Sequence, residues 1–190
     1  MNAIGLTYPL ETERLLLRPF APGDFDALYA YQSRPDVTRY LYWGPRTEDE
    51  VREALEKKLV STAIRSEGDV LCLAVVLKES HELVGDFILH FTSEEHEQAE
   101  IGYIIHPDQA GHGYATEAGQ VLLRIAFRDL GLHRVTGSTD ARNTASGRVL
   151  EKLGMRREAH FVENEYVKDG WQSETVYAML DREWFESAGS

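Results

Sequence analysis

Cysteine is almost absent, with Cys72 alone among 190 residues. One thiol excludes an internal disulfide and any zinc site built from several thiolates. Its place inside the apolar run Val70–Leu77 reads as a buried, inert side chain. That run is the longest apolar stretch and falls far short of the ~20 residues that span a bilayer. The start of the chain lacks the basic-then-apolar pattern of a secretory signal, so a cytoplasmic protein without a membrane partner is expected. Basic residues are scarce: 20 Lys and Arg stand against 32 Asp and Glu, a net charge of −12. Such a field repels phosphate backbones and argues against nucleic acid, while it attracts amines, polyamines or basic tails. Acidity also serves plain solubility. Histidines show no ligand spacing; His96-Glu97-Gln98-Ala99-Glu100 half-matches a zinc-protease helix but ends in Glu, so no metal is expected.

There is no repeat, low-complexity tract or Pro/Gly/Ser linker, and the length suits one domain over residues 1–190, with its core at about 11–185. Apolar residues at 43% are enough for a packed interior. Arg14–Arg18 reads as a first strand. A helix runs from about Asp24 to Ser33, and a capping box of Thr47 and Glu50 opens a second that extends to about Arg65. Between them lies an aromatic connection, Arg39–Gly44. Val70–Leu77, Glu82–Phe91 and Glu100–His106 read as strands, joined by polar turns at Lys78–His81 and Ser93–Glu97. A helix over Tyr114–Leu130, a strand over Arg134–Asp140 and a helix over Asn143–Leu153 follow. A closing hairpin pairs Met155–Val167 with Ser173–Leu180. The order β-αα-βββ-α-β-α-ββ predicts an α+β fold with a mixed, mostly antiparallel sheet of about seven strands. Strand, helix, strand across 100–140 implies one parallel pair with a right-handed crossover.

Gly111-His112-Gly113-Tyr114-Ala115-Thr116 lies between a strand and a helix, where free N–H groups and the helix dipole favour a pyrophosphate. A dinucleotide fingerprint would need a third glycine where Thr116 stands, and the Walker pattern is absent. On the residues alone, a tight strand-to-helix turn explains the glycines about as well.

Glu100–Ala118 (EIGYIIHPDQAGHGYATEA) with Asn143–Met155 (NTASGRVLEKLGM) resembles the GCN5-related N-acetyltransferases, nearest the branch of ribosomal-protein N-terminal acetyltransferases. The resemblance extends through Glu11–Phe20, Leu83–Gly85 and Gly170–Trp184, nearly the whole chain in order. It implies a GNAT fold and transfer of an acetyl group from acetyl-CoA to a primary amine, by direct attack in a ternary complex. The acceptor stays open among a protein N-terminus, a polyamine, an antibiotic amine and an amino acid, as does monomer against homodimer. A non-catalytic acetyl-CoA sensor is the alternative, and a nucleotide-binding enzyme using the Gly111 loop a third reading.

The resemblance places the pantetheine arm between the strands at 100–106 and 134–140, against the main chain of Tyr103, Ile104 and Ile105. The phosphates would sit on Gly111, His112, Gly113, Tyr114, Ala115 and Thr116. The family's phosphate loop begins with Gln or Arg at the position that Ala110 holds here, a side chain that main-chain binding can spare. A main-chain N–H near Ile104 would hold the oxyanion. Glu100 occupies the place of the general base in histone-acetylating members, and a surface carboxylate is the competing account. Glu165 and then Asp86 are the other candidates. The tyrosine that many members use to protonate the thiolate is replaced by Leu150, so Ser146 is the implied substitute. Asn143 either holds the pantetheine or caps its helix. Lys152 is a solvated lysine or a phosphate contact, and the aromatics of Tyr29–Tyr31 and Arg39–Trp43 either face an acceptor amine or cover the core.

Overall fold

The computed structural model describes residues 6–188. Its strands are β1 (Leu10–Glu11), β2 (Leu15–Arg18), β3 (Val70–Leu77), β4 (Leu83–Ser93), β5 (Gln98–Ile105), β6 (Arg134–Asp140), β7 (Arg156–Val167) and β8 (Gly170–Leu180). Its helices are α1 (Phe25–Gln32), α2 (Pro35–Thr38), α3 (Glu48–Val60), α4 (Tyr114–Arg124), α5 (Thr144–Lys152) and α6 (Asp181–Ala188). The strands form one sheet in the order β1-β2-β3-β4-β5-β6-β8-β7. Every pairing is antiparallel except β5 with β6.

The expected α+β sheet with one parallel pair is therefore present, but among the described residues it has eight strands where about seven were expected. The addition is β1, whose two residues are too few to show alternation. Thr12 turns the chain there, its N–H bonding the Leu15 carbonyl at 3.0 Å. α3 carries the expected capping box but stops at Val60, because the Ser61 carbonyl accepts the Cys72 N–H at 2.7 Å and is drawn onto the edge of β3. The helix that follows the glycine loop relaxes into a π turn at Ile125–Asp129, which buries Ile125, Ala126 and Phe127 in succession. α2 and the terminal α6 were not expected from the sequence.

Alternation along the strands sorts the sheet into two faces. Leu71, Leu73, Phe87, Leu89, Ile101 and Val135 pack beneath α4 and α5 in the larger core. Cys72, Ala74 and Val76 pack beneath α1 and α3 with Leu28, Tyr31, Val51 and Leu55. α5 sits close on the sheet because Gly137 and Gly147 lack side chains. A Cβ at either would lie 2.8 Å from the Leu150 Cδ2 or the Tyr177 hydroxyl, respectively.

The decisive feature is how short the parallel pairing is. β5 and β6 are in register only at Gln98–Arg134, Ala99–Val135 and Glu100–Thr136. Beyond Glu100 the strands part, while β5 keeps its ladder with β4 as far as Ile105. A gap opens in the middle of the sheet, and α4 and α5 begin on one side of it.

Candidate active site

The gap leads into a cleft of about 1100 Å³. Glu100 to Ile104 of β5 and Ser138 to Asp140 of β6 line it, with Asn143, Ser146 and Leu150 from α5. Its outer part is closed by Tyr40, Tyr42 and Trp43 and by Glu165 and Glu174 of the β7–β8 hairpin. Lys168, in the hairpin turn, donates to the Thr38 carbonyl and ties the hairpin to α2.

Period-two geometry decides which side each group serves. His90 pairs with Glu100 across β4 and β5, and Asp86 with Ile104. These residues share the α1–α3 face with Ser138, Asp140 and Glu174 of the neighbouring strands. Tyr103, three residues from Glu100, points the other way, toward α5. Its ring stacks on Phe87 at 5.1 Å, and its hydroxyl lies 2.9 Å from Ser146 Oγ and 3.0 Å from the Ser146 carbonyl. The Tyr103 phenol is pushed up to about 12, by burial above all. Glu100 and Ser146 thus reach one cleft from opposite sides.

Asn143 caps α5, its Oδ1 accepting the Ser146 N–H at 3.1 Å, so the capping account of that residue holds while it also lines the cleft. Asp86 is 3% exposed and ion-paired with Lys58, which occupies the carboxylate and leaves it poorly placed to take a proton. Beside it the Tyr31 hydroxyl is buried, raised well above the ordinary phenol range by that burial and then by the Asp86 charge. Tyr31 belongs to the core, whereas Tyr40, Tyr42 and Trp43 face the cleft. The Tyr42 phenol is likewise raised, first by partial burial and then by Glu165, with smaller effects from Glu174 and Glu100. Three carboxylates therefore surround one phenol.

The glycine loop has the geometry of an anion cradle. Gly111 and Gly113 take φ of +84° and +83°, a region closed to most side chains. Gly113 is the N-cap of α4, so the N–H groups of Tyr114, Ala115 and Thr116 open the helix without intrahelical acceptors. His112 stacks on Tyr114 at 5.5 Å and stands exposed. Glu117 braces the loop: its carboxylate accepts from the Thr12 hydroxyl at 2.6 Å, the Arg14 N–H at 2.8 Å and the Arg14 guanidinium at 2.7 Å. Arg14 in turn donates to the His112 carbonyl at 2.9 Å.

Residues 14–156 match the family model described as an acetyltransferase (GNAT) domain. The chain belongs to the GNAT acetyltransferase family. It is 33% identical to the uncharacterized N-acetyltransferase YnaD of Bacillus subtilis over 92% of this chain and 98% of that one. A solved GNAT-family acetyltransferase from Bacillus anthracis superposes with a TM-score of 0.82 at 34% identity, over 90% of this chain and 98% of that one. The spermidine N(1)-acetyltransferase of Vibrio cholerae is 25% identical over 84% of this chain and 88% of its own length. This GNAT chain is accordingly an enzyme, an acyltransferase that moves an acetyl group to an amine, and its family uses acetyl-CoA.

Sequence reasoning did not single out three groups that the fold brings to the cleft: His90, Glu174 and the side chain of Tyr103. His90 was legible in the alternation Asp86, Ile88, His90. Glu174 was not, since its approach depends on where the hairpin comes to rest.

Proposed function

We propose that the chain acetylates the primary amine of a cationic small molecule, taking the acetyl group from acetyl-CoA by direct attack in a ternary complex. The observation that carries this reading is the parted β5–β6 pair opening onto a cleft of strongly negative lining. Seven carboxylates and three basic side chains line it, a formal balance of −4, and Asp86 already neutralises Lys58. Such a lining favours an acceptor with more than one positive charge, and a spermidine acetyltransferase lies among the relatives. A protein N-terminus carries a single ammonium and uses this field less well.

The residues fit the co-substrate. Main-chain groups of β5 that point away from β4 are left unpaired by β6 beyond Glu100, and Tyr103, Ile104 and Ile105 would receive the pantetheine there. Gly111–Thr116 would hold the pyrophosphate, with Asn143 near the arm. Bound acetyl-CoA supplies the thioester.

An alkylamine is charged at neutral pH and must lose a proton before it attacks. Glu100 takes that proton, directly or through water, with Glu165 as the second candidate. A β5 main-chain N–H near Ile104 stabilises the oxyanion. Ser146 hydrogen-bonds the departing sulfur from the opposite side. Cys72 takes no part as a nucleophile, because it is buried and its thiol is raised by that burial.

The test is a thiol-release assay with acetyl-CoA and acceptors graded in charge, from monoamines through diamines to polyamines, beside short peptides with free N-termini. The expected kcat/KM rises with acceptor charge and falls as salt is added. Glu174→Gln should raise KM for the polyamine severalfold while leaving KM for a monoamine nearly unchanged. A preference for peptides, or no dependence on charge, would exclude the cationic acceptor.

A further inference from the structure

The thiolate side of the cleft holds a pair of hydroxyls that the reaction as described uses only in part. Ser146 lies in the first turn of α5, fixed through its N–H by Asn143. The Tyr103 hydroxyl reaches it from β5, close enough to bond either its carbonyl or its Oγ. The ring that carries this hydroxyl is held by its stack on Phe87, so the phenol has little freedom to turn elsewhere.

A serine hydroxyl has one proton, and its direction determines whether it helps a leaving sulfur. While the phenol donates to the Ser146 carbonyl, the Ser146 hydroxyl can donate to the phenol oxygen, leaving only lone pairs toward the cleft. When the phenol donates to Oγ, the Ser146 proton is free to point at sulfur, and the donation polarises it. We propose that Tyr103 is a positioning residue that turns the Ser146 hydroxyl toward the cofactor sulfur, so that both stabilise the leaving thiolate as a relayed hydrogen-bond donor. This inference rests on acetyl-CoA occupying the cleft. No proton leaves Tyr103: a phenol held at about 12 loses to a thiol near ~8.5 by more than roughly a thousandfold. The C–S bond breaks with its electron pair on sulfur. The thiolate then takes its proton from solvent, and the amine's protons leave through the carboxylate side.

The direct readout is the thiol pKa of bound CoA, followed by thiolate ultraviolet absorbance, which needs no knowledge of the acceptor. In the wild type it should lie below that of free CoA. Tyr103→Phe keeps the ring and the stack and should raise it by roughly half a unit, Ser146→Ala by roughly one, and the double variant by no more than Ser146→Ala. CoA affinity should stay within about twofold, and the single-turnover transfer rate should fall about fivefold in Tyr103→Phe. Replacing Tyr103 with 3-fluorotyrosine keeps the hydrogen bond and strengthens the donor, so the bound thiol pKa should fall further. This second variant serves if Tyr103→Phe does not fold. A bound thiol pKa unmoved by both variants overturns the inference while acetyl-CoA binding stands. A wild type that binds no CoA overturns the reading beneath it as well.

Discussion

Removing Lys58 should destabilise the protein more than any exposed ion pair would. The Lys58 and Asp86 side chains are 14% and 3% exposed, and the carboxylate lies in the middle of β4 beneath α3. Lys58→Met keeps the apolar stem but leaves Asp86 without its counter-charge. Breaking a buried pair costs about 3–5 kcal/mol, and because both side chains line the cleft the low end, about 3 kcal/mol, is expected here. For a chain of this length that corresponds to a midpoint about 6–12 °C lower. Asp86→Asn should cost less, about 1–2 kcal/mol, because the lysine stem can carry its charge outward into the cleft. The double variant should lose at least ~1 kcal/mol less than the sum of the two. Urea unfolding of the four proteins gives the cycle. A loss under about 1 kcal/mol for Lys58→Met, or strict additivity, would refute the claim that the pair shares its burial cost.

Three further outcomes follow from particular contacts. Gly113→Ala forces a Cβ into φ of +83° and should cost about 1–2 kcal/mol, with CoA affinity reduced in a calorimetric titration; an unaltered affinity would detach the loop from the phosphates. Glu117 is depressed below the ordinary carboxylate range, its bonds from Thr12 and Arg14 outweighing the opposing effect of burial. Its contribution is complete above the unfolded value near ~4.3 and is lost as pH falls through the lower folded one. Glu117→Gln should therefore lower stability by about 1–2 kcal/mol at pH 7 and flatten the acid limb of a stability profile. Glu158, held at about 2 chiefly by Arg134, leaves a residual limb at lower pH. Glu100→Gln should cut kcat by about a hundredfold with little change in acetyl-CoA affinity, and unchanged turnover would move the base to Glu165.

The fold was legible because its signals are local and repeated. Thr47 and Glu50 announced a capping box, and Gly111 and Gly113 announced a loop that requires positive φ. Glu100 and Ser146 were found through the family resemblance, carried by the motifs at 100–118 and 143–155. What escaped the sequence depends on contacts distant along the chain. β1 has two residues and owes its place to a turn braced by Glu117, more than 100 positions away. α3 ends where β3 draws in the Ser61 carbonyl, not at a residue that breaks helices. Tyr103 was noticed for its main chain, yet its side chain reaches 43 positions ahead to Ser146, a meeting that no spacing announces. The acidic rim likewise exists only once the β7–β8 hairpin folds back toward α2.

The central claim is that the gap between β5 and β6, with the Gly111 loop, receives acetyl-CoA. Thermal unfolding with acetyl-CoA, CoA, NAD and ATP as separate ligands tests it most directly. At about 100 times Kd a ligand of the native state adds ~2.7 kcal/mol, a rise of roughly 5–11 °C here. The account predicts that rise with acetyl-CoA and CoA, and none with NAD or ATP. A folded protein whose midpoint ignores both CoA ligands would contradict it.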